Sequence, residues 1–288
     1  MIKLCGYVRM MDHKNLNPVL YNWVYAEYQD ATNTQIERRS SNSLNEWIGK
    51  KIRLSTNDEI RCMECSKKTK KSFNQGYCFV CFSRLAKNDL CIMKPETCHH
   101  HKGTCREPIW GEEHCFKKHT VYFANSSGIK VGITKENPIS NRWVDQGASF
   151  GIGVLEVGSR RDAGIIESYL SKFLPDKTSW QKMVSADPIP LDLKKEKDKF
   201  VRHLETQNFV YEENPKGSVQ WTILQNAEPV SIHYPITRYP SKIKSLKLTN
   251  ESPIHDTLVG IKGQYLLFDS GVINIRSLGG LYCELSID

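Results

Sequence analysis

The sequence predicts an α+β protein in which a small α/β core follows a cysteine-rich segment and lies between two β-rich ends. Three observations support this class. Runs rich in β-branched and aromatic residues recur within residues 1–60 and again within 208–288. Eight of the ten cysteines fall between positions 62 and 115. Residues 119–184 alternate strand-like with helix-like patterns.

Length and composition describe an ordinary soluble chain. It has 288 residues, of which 39% are hydrophobic and 25% charged. It has no run of eighteen apolar residues and no apolar stretch typical of a signal peptide at its start, so we expect no membrane partner and a cytoplasmic location. Thiols stay reduced there, which favours metal binding over disulfides for clustered cysteines.

The net charge of +8 is concentrated in one segment. Residues 61–119 carry twelve Lys and Arg against six Asp and Glu. A basic segment suggests contacts with phosphate. Thiolates bound to metal ions would offset part of this charge, so charge alone is a weak indication of nucleic acid.

Residues 1–60 form a predicted β-rich segment, and residues 190–288 a predicted β-rich domain. The first contains the strand-like runs "KLCGYVRM", "VLYNWVYAEY" and "KKIRLS", with the loop "DATNTQIERRSSNS" between the last two. The second opens on "LDLKKEKDKF", which predicts a charged, solvated helix. Its predicted strands are "NFVYEE", "VSIHYP", "SKIKSLKL", "GQYLLF", "GVINIR" and "LYCELSI".

Two stretches near opposite ends of the chain share a weakly similar residue pattern. "IGKKIRLSTNDEIR" (48–61) shares its Gly, its strand-like runs and its terminal Arg with "IKGQYLLFDSGVINIR" (261–276). Two unrelated hairpins are the favoured interpretation, because strand patterns recur by chance. The alternative is that both ends pack into one β-rich body around the middle of the chain.

The cysteine-rich segment, residues 61–118, begins with a paired knuckle motif. Cys62, Cys65, Cys78 and Cys81 follow the spacing C-x2-C-x12-C-x2-C. Two such turns can place four thiolates around one zinc ion at about 2.3 Å, which leaves no position for water and indicates a structural site. The alternative is four free buried cysteines.

A second, looser set follows in "CIMKPETCHHHKGTCREPIWGEEHC" (91–115). We expect Cys91, Cys98, Cys105 and Cys115 to bind a second metal, with zinc as the first choice and a four-cysteine iron–sulfur cluster as the alternative. The neighbouring histidines compete as ligands or surround the site: His99, His100, His101, His114 and His119.

Residues 119–189 form the predicted α/β core. "TVYFA" and "IKVGI" flank the turn "NSSG", a helix opens near Pro138, and "FGIGVLEVG" is a third strand. A second helix starts near Asp162 and ends at Pro175. Its apolar residues recur at helical spacing: Ile165, Ile166, Tyr169, Leu170, Phe173 and Leu174.

The order of these residues over about 118–184 resembles the GIY-YIG nuclease superfamily. "TVY" (120–122) and "KVGIT" (130–134) stand where that family has its two name motifs, an arginine follows on the first helix, and a glutamate on a later helix. The β-β-α-β-α order agrees with its core. More widely, residues 62–184 resemble an uncharacterised bacterial family that joins cysteine knuckles to such a core, through "PETCHHHKGTCREPIWG" and "RWVDQGA".

The resemblance implies a catalytic set. Tyr122 would lie at the reacting water, Arg142 would grip a phosphate, and Glu167 would hold one Mg²⁺ or Mn²⁺ ion through oxygen. Lys130 replaces the tyrosine of the second motif and would act as a base or bind phosphate. The histidine that follows the arginine in many members is absent here, and "RWVDQGA" offers Gln146 or Gly147 instead.

Three functions follow as hypotheses. The first is a zinc-containing, metal-dependent nuclease acting on DNA or structured RNA. The second is a non-catalytic nucleic-acid-binding module on the same fold, which the lysine at position 130 favours. The third is an iron–sulfur protein built on the second cysteine set.

Overall fold

The computed structural model describes residues 2–29, 34–135, 139–174, 179–206 and 219–287. It is an α+β structure, as predicted. Three predicted features lie outside these described residues. They are the start of the first core helix near Pro138, the end of the second core helix at Pro175 and the strand "NFVYEE" (208–213).

The strands, in chain order, are β1 (Lys3–Val8), β2 (Asp12–Lys14), β3 (Leu20–Asn22), β4 (Val24–Gln29), β5 (Thr34–Arg39), β6 (Lys51–Arg61), β7 (Lys68–Thr69), β8 (His119–Asn125), β9 (Ile129–Thr134), β10 (Phe150–Val157), β11 (Trp221–Ile223), β12 (Val230–Ser231), β13 (Ile254–Lys262), β14 (Tyr265–Phe268), β15 (Gly271–Asn274) and β16 (Leu281–Ile287).

The helices are α1 (Phe79–Arg84), α2 (Leu90–Met93), α3 (Pro108–Cys115), α4 (Ser140–Asp145), α5 (Arg160–Leu170), α6 (Trp180–Met183) and α7 (Leu193–Thr206). Short 3-10 turns occur at Leu44–Trp47, Ala86–Asn88, Pro95–Thr97, His100–Lys102, Ser171–Phe173 and Ile275–Leu278.

The chain divides into two compact units. The β-rich unit comprises Met1–Arg84, Trp180–Ala186 and Ile232–Asp288, and the α/β unit comprises Leu85–Ser179 and Asp187–Ser231. The cysteine-rich segment is therefore shared: residues 61–84 belong to the β-rich unit and residues 85–118 to the α/β unit.

One antiparallel sheet dominates the β-rich unit and joins both ends of the chain. Its order is β15-β14-β13-β6-β16-β1-β4-β5, with β7 on β6. The long strand β6 lies between β13 and β16, with Leu54 opposite both Ile254 and Leu285. Leu54, Ile254 and Leu285 are all apolar and buried, so strand pairing and the burial of these side chains favour the same register. "SKIKSLKL" (241–248), predicted as a strand, contributes only an isolated bridge at Ser245.

The α/β unit contains a smaller sheet of order β11-β10-β8-β9, with β12 also on β10. Its core cluster includes Val121 and Phe123 of β8, Ile152 of β10, Ile166 of α5 and Phe200 of α7, all buried. The helix α5 begins at Arg160, two residues before the predicted start, because Ser159 caps it by accepting a hydrogen bond from the Asp162 backbone N–H.

The helix α7 corrects one prediction. Residues 191–200 predicted a solvated helix, but α7 buries one face against the α/β core through Leu193, Lys197, Phe200, Val201 and Leu204. The described helices include none that is both long and apolar enough to cross a membrane.

Candidate functional site

The first cysteine set converges in the β-rich unit. The ligand atoms of Cys62, Cys65, Cys78 and Cys81 all lie within 4.8 Å of one another, and the Sγ atoms of Cys65 and Cys78 are 3.8 Å apart. Cys62 and Cys81 are buried and the other two are partly exposed. Four mutually close sulfurs can hold one metal ion, and a tetrahedral four-thiolate site of this kind suits zinc.

Tight turns shape this cluster. The first turn follows β6, where the Ser66 N–H donates to the Cys62 carbonyl at 3.0 Å and Ser66 adopts a left-handed φ of 62°. Burial raises the pKa of the Cys62 thiol, but backbone N–H groups from Cys65, Cys78 and Glu64 outweigh burial and bring it down to about 7. Backbone donors aimed at sulfur favour the thiolate, which is the form that binds metal.

The second cysteine set lies in the α/β unit and is arranged differently. Cys91, Cys98, Cys105 and Cys115 all line one small cavity beside His100. Among the described residues of this unit, the compact group of possible ligands is instead Asp89, Cys91 and His99, whose ligand atoms lie within 4.8 Å of one another. The four thiols are gathered around a space rather than around a single point.

In the α/β unit, Tyr122 lies at the centre of the predicted catalytic set. Strand pairing places it opposite Gly132 of β9 on one side and Gly153 of β10 on the other. Its ring is fully buried, and its hydroxyl donates to the Gln146 side-chain carbonyl at 3.0 Å. Because Ala124 pairs with Lys130 and lies two residues after Tyr122 on β8, the lysine shares a face with Tyr122.

The loop after α4 explains how Gln146 reaches this tyrosine. Gly147 has a left-handed φ of 69° and donates to the Val144 carbonyl at 2.9 Å, and Ala148 donates to the Trp143 carbonyl at 3.0 Å. This pair of bonds is a Schellman cap, which requires glycine or a similarly tolerant residue at position 147. It ends the helix so that Gln146 is the capping residue with its side chain on Tyr122.

Electrostatic interactions join Arg142 to each of the three other predicted residues. Burial raises the pKa of Tyr122 to about 12, with Arg142 opposing that rise and Glu167 adding to it. Burial first, and then the positive charge of Arg142, lower the pKa of Lys130 to about 8. Burial raises the pKa of Glu167 to about 7, and Arg142 is among the charges that act on it. We call Tyr122, Lys130, Arg142 and Glu167 the Tyr122 cluster.

The members of the Tyr122 cluster differ in exposure. Tyr122 is buried, whereas Lys130, Arg142 and Glu167 are each partly exposed. A molecule arriving from solvent would meet a lysine, an arginine and a glutamate first. This set can bind an anion through its cations and a divalent cation through its carboxylate.

Comparison with known proteins places the chain in a family. The model of a family described as "Protein of unknown function (DUF2797)" matches residues 49–283. The chain belongs to the DUF2797 family. That match spans both cysteine sets and the Tyr122 cluster of this DUF2797 chain, and it agrees with the predicted relation to an uncharacterised family. No curated protein and no solved structure matches it.

The narrower resemblance of the DUF2797 chain to GIY-YIG nucleases stays a prediction. The family description names no activity. The roles given to Tyr122, Lys130, Arg142 and Glu167 therefore depend on their geometry and charge alone.

Two residues near the Tyr122 cluster were missed from the sequence. Glu96 adds to the raised pKa of Glu167, and Arg160 opposes that rise. Glu96 comes from the cysteine-rich segment, and it reaches α5 because a Cβ at Gly164 would lie 2.5 Å from Pro95 Cβ and 2.9 Å from the Glu96 nitrogen. Only glycine permits this approach. The Gly within "DAGII" was the available signal for Glu96, and the "SRRD" helix start was the signal for Arg160.

Proposed function

We propose that this DUF2797 chain binds the phosphodiester backbone of DNA or structured RNA at the Tyr122 cluster and hydrolyses it with one divalent metal ion. The observation that carries the proposal is that one arginine, Arg142, acts both on Lys130, whose pKa is lowered to about 8, and on Glu167, whose pKa is raised to about 7. Groups poised near neutrality beside a fixed cation are typical of sites that move protons.

Each side chain has a role that its chemistry supports. Arg142 binds two phosphate oxygens through its planar guanidinium. Lys130 in its neutral form accepts a proton from the attacking water. Tyr122 stays protonated at neutral pH because its pKa is near 12, and it remains fixed between Gln146 and Gly132 as a neutral donor.

The Glu167 carboxylate fits a hard divalent cation. Glu167 is partly exposed and offers carboxylate oxygens, and the nearby Glu96 acts on it through its negative charge. Mg²⁺ and Mn²⁺ take such ligands and keep several waters. When bound, the ion supplies positive charge for the leaving oxygen. Ionised Glu167 holds it, and Arg142 and Arg160 help to keep that carboxylate ionised.

The cysteine knuckles support the same function from the β-rich unit. Cys62, Cys65, Cys78 and Cys81 hold one structural zinc ion, and the loop between the two cysteine pairs is basic. Residues 66–84 contain four lysines, one arginine and no acidic residue. Such a loop can contact phosphates without reading sequence.

Binding without cleavage is the second candidate function. The full burial of Tyr122 favours it, because a hydroxyl enclosed by Gln146 does not meet a reacting water directly. Lys130 in place of a tyrosine points the same way, since a lysine can serve as a phosphate ligand alone.

Cleavage and binding assays separate the two candidates. Purified full chain is incubated with plasmid DNA and with total tRNA, in Mg²⁺, in Mn²⁺ and in chelator. Metal-dependent cleavage that Arg142→Ala abolishes supports hydrolysis. Binding that Arg142→Ala weakens, with no cleavage in any metal, establishes the second candidate. Neither binding nor cleavage of either substrate contradicts the proposal. Arg202→Ala, an exposed arginine on α7, is the matched control.

A further inference from the structure

The second cysteine set surrounds a cavity that the proposed function does not use. This cavity has a volume of about 340 Å³ and lies between the cysteine-rich segment and the first turn of α5. Cys91, Cys98 and Cys115 line it, and a smaller adjoining space adds Cys105. The four thiols of the set therefore line two adjoining spaces inside the α/β unit.

The spacing of these thiols differs from that of the first set. Cys62, Cys65, Cys78 and Cys81 already lie at mutual distances that suit a single ion. The thiols of Cys91 and Cys98 are close enough to hydrogen-bond, but in the described part of the chain no three thiols of the second set meet the same 4.8 Å limit. A single zinc ion draws all four sulfurs to one point. In a four-iron cluster each thiolate binds a different iron, so the sulfurs stand further apart around a central core.

We infer that Cys91, Cys98, Cys105 and Cys115 hold a [4Fe–4S] cluster. The four-thiolate ligand set is the one such clusters use, and the 340 Å³ cavity that Cys91, Cys98 and Cys115 line is larger than a single ion would fill. This inference does not depend on the proposed function.

The charge of the cavity wall suits this occupant. A [4Fe–4S] cluster bound by four thiolates is an anion in its common oxidation states. Arg160, Arg161, His100 and His101 line the cavity, and Asp162 is the acidic residue of its lining. Asp162 accepts a hydrogen bond from the Ser159 hydroxyl at 2.8 Å, and Asp89 of the adjoining space is paired with Arg106 at 2.7 Å. The charged side chains of the main cavity wall, Arg160, Arg161 and Asp162, therefore sum to a net positive charge.

Two buried nitrogen atoms on this wall have no hydrogen-bond partner among the described residues, and a bound cluster would supply acceptors for their N–H groups. They are Arg160 Nε and His100 Nε2. A carboxylate oxygen of Glu112 lies 3.7 Å from His100 Nε2, beyond hydrogen-bond length. Buried N–H groups cost free energy when unpaired, and cluster sulfides and thiolates accept such bonds.

Apolar groups close the remaining sides. Pro95 and Phe116 line the main cavity, and Ile92 and Trp110 line the adjoining space. Limited water access protects an iron–sulfur core and sets its properties. Because this segment contains no long apolar run, the cluster would also supply much of the free energy that folds residues 85–118.

Metal and sulfide analysis of the full chain tests the inference. Protein is purified without oxygen, and iron, acid-labile sulfide and zinc are measured together with visible absorption before and after dithionite. We expect about four iron and four sulfide per chain at this site, one zinc at the other, and absorption that dithionite bleaches. Two zinc ions per chain without sulfide, or zinc in the first set alone after reconstitution with iron and sulfide, would overturn the inference.

Variants assign the ligands. Cys98→Ser and Cys105→Ser should each lose most of the iron and sulfide and retain the zinc. Cys5→Ser, a thiol of the β-rich unit outside both sets, should retain all three. His99→Ala separates the cluster from a single ion at Asp89, Cys91 and His99, because it should leave iron unchanged. Loss of iron in His99→Ala with retention in Cys105→Ser would refute the four-cysteine assignment. The wild-type stoichiometry decides the matter even if a cysteine variant fails to fold.

Discussion

The hydroxyl of Tyr122 occupies the space where a side chain of Gly132 would begin. A Cβ built on Gly132 would lie 2.5 Å from the tyrosine oxygen and 2.6 Å from Cζ. The two residues face each other across β8 and β9, and Gln146, the C-capping residue of α4, accepts a hydrogen bond from the same hydroxyl. The position of the buried tyrosine therefore depends on a glycine that the opposite strand provides.

Gly132→Ala should displace Tyr122 and reduce both nucleic-acid binding and cleavage. The added methyl group overlaps the phenol, and overpacking of this kind costs about 1–3 kcal/mol of the free energy of unfolding. Thermal unfolding and substrate affinity measure the two effects. Gly158→Ala is the control, because a Cβ there meets nothing within 4 Å. Equal affinity in wild type and Gly132→Ala would show that Tyr122 does not shape the site.

If Lys130 is the base, the cleavage rate should rise with pH through about 8. The pKa of this lysine is lowered to about 8, so the neutral, proton-accepting fraction grows as pH rises from about 7 to 9. Lys130→Arg keeps the positive charge but removes the base, because arginine stays protonated in this range.

The expected result for Lys130→Arg is retained nucleic-acid affinity, with cleavage reduced by about 100-fold or more. The measurement is the cleavage rate at saturating enzyme between pH 6 and 9.5. If Lys130→Arg cleaves at the wild-type rate and its rate rises with pH in the same way, the lysine only binds phosphate.

Glu96→Gln should extend metal binding at Glu167 to lower pH. Burial first, and then Glu96, raise the pKa of Glu167 to about 7, so removing the negative charge at position 96 should lower that pKa. The carboxylate then stays ionised to lower pH, and Mn²⁺ binding near pH 6 should strengthen. Titration of Mn²⁺ by calorimetry at pH 6 and pH 8 measures this. Weaker binding at both pH values would instead make Glu96 a direct ligand.

Cys65→Ser should abolish zinc binding at the first cysteine set and destabilise the β-rich unit. Metal-binding energy contributes to folding in such knuckles, so we expect loss of one zinc per chain and a lower unfolding temperature. Mass spectrometry of the native protein and thermal unfolding with and without chelator provide the measurements. Cys5→Ser should retain the zinc. Full zinc content in Cys65→Ser would exclude the four-thiolate site.

Local patterns in the sequence were enough to locate much of the candidate site. The C-x2-C pairs predicted a cluster that the fold does bring together, because each pair is only one turn long. The hairpin of β8 and β9 and the face shared by Tyr122 and Lys130 follow from alternation over a few residues.

Long-range packing explains what the sequence did not reveal. The buried face of α7 was missed because its stripe continues to Leu204, beyond the lysine-rich residues 191–200, and because Lys197 is buried with its ammonium on the Leu224 carbonyl. Likewise Glu96 meets α5 through the close approach at Gly164, and a glycine in a helix does not by itself reveal which segment packs against it.

Glu167→Gln gives the most direct test of hydrolysis at the Tyr122 cluster. Single-turnover cleavage of a labelled DNA or RNA substrate is measured across a range of Mg²⁺ concentrations for wild type, Glu167→Gln and the control Glu196→Gln on α7. The account predicts wild-type behaviour for Glu196→Gln, and a rate lowered more than about 100-fold for Glu167→Gln with substrate affinity nearly unchanged. Equal rates and equal Mg²⁺ dependence in wild type and Glu167→Gln would contradict it.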